Sequence, residues 1–219
     1  MSGKKTAIAT GASGGIGAGL VECFLMEGYN VVATSLTTSR SLTASAILVL
    51  VDGDIGKQET AAKVVEAAIN NFGTIDVLVN NAGIFRTKPF IDFTTEDIHA
   101  LVSANRFLYI TQLSVKQILK QKSGNVVSIT AALADQPLAG ENASVSMITK
   151  GGLNTVNPES SNRVRKRRHP LQRRSPGVVD TPLHEAVPKE SLTTRQPLKT
   201  ITEVKDIVGV VLYWPGRVK

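Results

Sequence analysis

Short apolar runs and stretches of helical period alternate along this chain. The run Thr6-Ala7-Ile8-Ala9 predicts a strand, and Leu20, Val21, Phe24 and Leu25 then recur one turn apart, as on one face of a helix. The β-branched run Asn30-Val31-Val32-Ala33-Thr34 predicts a second strand, closed by the polar stretch 35–41. Residues 47–51 are apolar throughout, as expected of a parallel strand covered on both faces. An amphipathic helix is predicted over 57–71, with Ala61, Val64, Val65 and Ala68 on one side. Strands over 74–80 and 125–130 follow. Between them a helical pattern opens at Thr94, an N-cap with acids in the first turn, and resumes through 111–122. A last helix is predicted over 204–212. At 219 residues the chain suits one α/β domain.

Between the first strand and helix stands Thr10-Gly11-Ala12-Ser13-Gly14-Gly15-Ile16-Gly17. Strand, glycine-rich turn and helix together make an anion site: glycines let the backbone approach a pyrophosphate, and the first-turn N–H groups point at it. The spacing Gly11-x-x-x-Gly15-x-Gly17 departs from the plain G-x-G-x-x-G fingerprint. A tight turn is the bland alternative, and the flanking strand and helix favour a dinucleotide.

This motif resembles the cofactor turn of the classical short-chain dehydrogenases/reductases. Three later landmarks fall in that family's order: Asn80-Asn81-Ala82-Gly83, Lys150-Gly151-Gly152-Leu153 and Pro176-Gly177-Val178-Val179-Asp180-Thr181. The resemblance implies an α/β, Rossmann-like, doubly wound parallel sheet in three α/β/α layers. It also implies an NAD(P)(H)-dependent oxidoreductase acting on a small carbonyl or alcohol substrate, and a homo-oligomer. Carried over position by position, Gly11, Ser13, Gly15, Ile16 and Gly17 would hold the pyrophosphate. Asp54 and the Ile55 backbone would hold adenine, although an aspartate in a turn or cap explains Asp54 as well. Asn81, Ala82 and Gly83 would meet the ribose, Lys150 the nicotinamide ribose, and Val179 and Thr181 the carboxamide. Ser35 and Leu36 supply no acid for a ribose 2′-hydroxyl, and Arg40 is the nearest base, which favours NADP(H) over NAD(H).

The family's catalytic set is incomplete. Its proton is carried by a tyrosine four residues before the lysine, a spacing that puts both on one helix face and lowers the phenol pKa. Here that position is Ser146. The serine expected after the fifth strand is replaced by Ala131, next to Thr130. The catalytic candidates are therefore Asn105, Ser146 and Lys150. Asn105 matches a family asparagine on the helix, although the chain there is about two residues short, enough to rotate the rest of that helix. Both gaps put turnover in question, and a non-catalytic dinucleotide-binding homologue or a degraded gene product is the alternative. The loop after Pro182 carries no recognisable substrate chemistry.

Charge adds one anomaly. Residues 157–175 carry seven Lys or Arg against Glu159, a local +6 that leaves the rest near neutral within the net +7. Such a tract suggests nucleic acid, yet it stands where the family has a core helix and sixth strand, which Pro158, Pro170 and clustered arginines do not favour. Possible codons read one nucleotide later permit Ile-Arg-Phe-Asn-Ala over 169–173 and Glu-Tyr-Ala-Lys-Asp over 163–167. The tract therefore reads as a frameshifted stretch rather than a nucleic-acid site. The sixth strand is expected to be disrupted and the seventh missing. One cysteine, no signal segment and no membrane span suggest a cytoplasmic protein without a metal centre.

Overall fold

The computed structural model describes residues 3–138, 141–165 and 171–213, with the side chains of 156–165 and Leu171 outside the description. Six parallel strands form one sheet: β1 (Thr6–Thr10), β2 (Asn30–Ser35), β3 (Leu48–Asp52), β4 (Val77–Asn80), β5 (Asn125–Ile129) and β6 (Leu171–Arg174). Their order is β3-β2-β1-β4-β5-β6, the doubly wound arrangement that reverses between β1 and β4. Helices cover both faces, so the fold is the Rossmann-like α/β/α sandwich.

Alternation along each strand divides the core in two. Ala7, Ala9, Val31, Ala33, Val77 and Val79 face one side, against Leu20, Val21 and Phe24 of α1 (Gly15–Met26). On the other side, Ile8, Val32, Leu78 and Val126 meet Ala61, Val64 and Ala68 of α2 (Gln58–Phe72). Every one of these side chains is buried. The apolar stripe read at 57–71 is thus the face α2 lays on the sheet.

The predicted helix from Thr94 is two helices. α3 (Thr95–Val102) opens with a capping box between Thr94 and Asp97, and α4 (Asn105–Gln121) follows after extended backbone at Ser103. Two missing residues would turn a continuous helix by roughly 200°, at about 100° per residue. Breaking the chain at 103–104 lets α4 keep Phe107, Ile110, Ser114 and Ile118 on the buried side.

The basic tract requires a correction. α5 runs Ser144–Arg165 through the first part of it, and β6 pairs with β5 in parallel register, Val126 opposite Leu171 and Ile129 opposite Arg174. The sixth strand is therefore present. A ladder is made by backbone groups, which arginine supplies as well as valine does. β6 also lies at the sheet's edge among the described residues, where charge is tolerated. Arg173 is exposed and pairs with Asp135 at 2.9 Å. Residues 166–170 of the tract, like 214–219, lie outside the described residues. The chain closes with α6 (Lys189–Thr194) and α7 (Val204–Tyr213), the latter placing Val208 and Val211 against α1's side of the core. Among the described residues no helix is long and apolar enough to cross a membrane.

Candidate functional site

The strand ends at the β1/β4 reversal open onto a glycine-rich turn. Gly11 and Gly15 have φ of +69° and +53°, left-handed values that a side chain resists. Gly17 is needed for space: a Cβ there would lie 2.0 Å from the Gly11 carbonyl oxygen. Gly14 caps α1 in extended conformation with no side-chain hydrogen bond, so no side chain occupies the first-turn N–H groups. A turn this bare, at a helix start, fits a pyrophosphate. Ser13 stands exposed beside it.

The Asn80-Asn81-Ala82-Gly83 motif braces that turn. Thr10 Oγ1 donates to the Val79 carbonyl and accepts the Asn81 and Ala82 N–H groups, both at 3.0 Å. Asn81 Nδ2 donates to the Thr10 carbonyl at 3.0 Å. Asn80 is buried and donates to Thr111 Oγ1 at 2.8 Å, tying β4 to α4. Asp54 accepts the Gly56 N–H at 2.9 Å in the turn before α2, the turn role its sequence also allowed, and the Ile55 side chain is buried in the core.

Lys150 reaches the strand ends from α5. Its ammonium donates to the Ile129 carbonyl at 2.8 Å, and burial of that end pulls its pKa from 10.5 down to about 8. Ser146, one turn earlier, points elsewhere. Its hydroxyl donates to the Arg86 carbonyl at 2.8 Å and accepts the Arg86 N–H at 3.1 Å, and the residue is 4% exposed. Both hydrogen-bonding directions are spent on pinning the loop after β4. The same loop is held by Arg86 and Lys88, which both pair with the buried Asp97 and keep its carboxyl well below the usual range. Ala131 offers no hydroxyl, and that of Thr130 is tied to Ser175 at 2.8 Å.

Asn105 also stands away from this group. It is the exposed first residue of α4 rather than a mid-helix position, because the break at 103–104 absorbed the two-residue shortening. Ser103 and Arg106 take its place beside Lys150, lining a small cavity of about 30 Å³ with Asn80 and Ser146. At the ribose-reading end, Thr38 and Ser35 hydrogen-bond at 2.7 Å and position the short turn carrying Arg40. A carboxylate does stand here: Asp52 accepts from Ser39 and feels the charge of Arg40.

A cavity of about 450 Å³ joins these parts. Ile16, Asn81, Gly83, Lys150, Val179 and Thr181, all expected site residues, line it together. Thr181 closes over the glycine turn: a Cβ on Gly15 would lie 3.3 Å from Thr181 Cγ2. The lining is also apolar at Phe85, Leu133, Leu138 and Met147, and Glu141 and Arg195, both in it, pair at 3.0 Å. His184 lines it too, its ring edge-on to Phe85 with centroids 6.5 Å apart. The loop after Pro182 thus contributes an imidazole to the lining, and its only signal in the sequence was a histidine, one of three in the chain.

Residues 5–191 match the family model for short chain dehydrogenase. The chain belongs to the short-chain dehydrogenase/reductase family. It is 27% identical to the 3-oxoacyl-(acyl-carrier-protein) reductase FabG of Thermotoga maritima, over 95% of this chain and 89% of that protein. A diacetyl reductase of Staphylococcus epidermidis is 34% identical over 57% of this chain and 52% of its own length. Among solved structures, a short-chain dehydrogenase/reductase of Brucella melitensis superposes with TM-score 0.84 at 25% identity, covering 99% of this chain and 92% of that one. ElxO with NADP bound gives TM-score 0.89 at 18% identity, over 98% and 92%, a likeness of fold alone. The chain thus has the Rossmann NAD(P)-binding fold of this oxidoreductase family.

Proposed function

We propose that this chain binds NADP(H) in preference to NAD(H) and reduces a small, largely apolar carbonyl compound, far more slowly than a family member with its tyrosine. The observation that carries the reading is the shared cavity: Lys150, Asn81, Val179 and Thr181 line one space beyond the bare glycine turn. A dinucleotide supplies the hydride in such chemistry. The Gly11–Gly17 turn would hold its pyrophosphate, Lys150 its ribose hydroxyls, and Thr181 its carboxamide. Arg40, on the turn after β2, favours a 2′-phosphate, with the Asp52 carboxylate acting against it. The apolar part of the lining excludes water and accepts an apolar substrate body. Loss of an acid/base group costs about 10²–10⁴ in rate without removing binding.

A second reading, a dinucleotide-binding protein without turnover, draws on Ser146, whose hydroxyl is consumed by the Arg86 backbone. Fluorescence titration with NADPH and NADH, followed by NADPH oxidation against a panel of ketones and aldehydes, separates the two. Tighter NADPH binding with slow oxidation is the expected result. Binding without oxidation supports the second reading, and no binding of either dinucleotide overturns both.

A further inference from the structure

Carbonyl reduction needs a proton at the carbonyl oxygen, and the hydroxyls of Ser146 and Thr130, at the positions where one was expected, are committed elsewhere. Ser146 donates to Arg86, Thr130 is paired with Ser175, and position 131 is alanine. None of the chain's tyrosines, Tyr29, Tyr109 and Tyr213, lines the large cavity. Its ionisable lining consists, among the described residues, of Lys150, Glu141, Arg195 and His184. Glu141 and Arg195 satisfy each other, and the Lys150 ammonium is held at the Ile129 carbonyl.

His184 differs from all of these. Neither ring nitrogen is hydrogen-bonded to another described residue, so its proton is available. The backbone that carries the ring is nonetheless held in place. It sits on the short turn Pro182–His184, where the His184 N–H donates to the Thr181 carbonyl at 3.0 Å and the His184 carbonyl accepts the Val187 N–H at 2.9 Å. Thr181, just before that turn, packs against Gly15 of the glycine-rich turn, so the segment carrying the histidine adjoins that turn.

We propose that His184, in the lining of the same cavity as Lys150, is the general acid of this protein in place of the family's phenol. The inference rests on the reductase reading above. The carbonyl carbon accepts a hydride from the reduced nicotinamide dinucleotide, and the C=O π pair moves to oxygen. The imidazolium N–H of His184 then protonates that oxygen, leaving an alcohol, oxidised dinucleotide and neutral imidazole, which is reprotonated from solvent. The charges facing the ring are Arg195 at the end of α6, and Asp180, which is itself paired with Lys189 at 2.7 Å; Glu185 follows in the chain. Burial and Arg195 pull the imidazole pKa below its ordinary value, while Asp180 raises it. The acid form therefore gives way to the neutral ring at lower pH than in a free imidazole, and reduction should slow as pH rises through that pKa.

The test compares wild type with H184Q, using NADPH and the same ketone and aldehyde panel across pH. Wild type should show the falling limb. H184Q should lose it together with about 10²–10⁴ of kcat, while its NADPH affinity and melting temperature stay unchanged. In NMR, the His184 ring signal, identified by its absence in H184Q, should shift when the alcohol product is added to the NADP⁺ complex. An H184Q enzyme with wild-type kcat and pH profile overturns this inference and leaves the reductase reading standing. NADPH binding by wild type without oxidation on any carbonyl overturns the reductase reading, and this inference with it.

Discussion

Replacing Ser146 by alanine removes one oxygen and distinguishes two roles for it. In the structure that oxygen makes two hydrogen bonds to a single residue, giving its proton to the Arg86 carbonyl at 2.8 Å and taking the Arg86 N–H at 3.1 Å. With Ser146 only 4% exposed, water cannot readily take over. Two such bonds at about 0.5–1.5 kcal/mol each make the expected loss about 1–3 kcal/mol. For a chain of this size that corresponds to roughly 2–12 °C in melting temperature. The loop after β4 should loosen first, because Ser146 is one of the few links holding it down. Thermal melting by circular dichroism reads the loss, and NADPH titration with carbonyl reduction reads the site. If Ser146 is a structural clasp, stability falls while kcat changes little. If it carries the proton, kcat falls about 10²–10⁴-fold at unchanged stability. An S146A melting curve that superimposes on wild type would refute the clasp.

Two further outcomes are set by the same geometry. Gly17→Ala places a Cβ 2.0 Å from the Gly11 oxygen and 2.7 Å from its carbonyl carbon, backbone atoms that cannot swing aside. A cost of about 3 kcal/mol or more, and loss of measurable NADPH binding, are expected in melting and fluorescence experiments; near-native values for both would contradict the cradle. Asp97→Asn should lower stability at neutral pH, because the carboxylate pairs with Arg86 and Lys88 and caps α3. The Asp97 pKa is depressed on folding, so its contribution is present above the ordinary value near 3.9 and is lost as pH falls below it. Wild-type melting temperature should therefore fall more steeply than that of D97N on acidification below about pH 4, and parallel curves would refute the assignment.

Much of this architecture was legible because its causes are local. An apolar run at 6–9, a bare glycine turn and a stripe at Leu20, Val21, Phe24 and Leu25 fix strand, turn and helix without outside help. The shortening near Asn105 was visible as well, but its consequence was not. Whether a helix rotates or breaks depends on which face the core must keep, and here the core kept Phe107 and Ile110 at the expense of Asn105. The arginines of 171–174 misled for a similar reason: composition argued against a strand, whereas a place at the sheet edge tolerates one. The shifted-frame reading of 157–175 is a statement about the coding DNA, and resequencing decides it.

By itself the sequence determined the family and the order of most of its elements, because motif and periodicity act over a few residues. Tertiary structure decided which polar atoms are spent and which are left over. Ser146 meets Arg86 sixty positions away, and His184 meets Phe85 across a still longer separation. Hydrogen-bond saturation depends on such distant neighbours. No local pattern could show that the serine beside the lysine is occupied, while the histidine in the cavity lining keeps its ring nitrogens unbonded among the described residues.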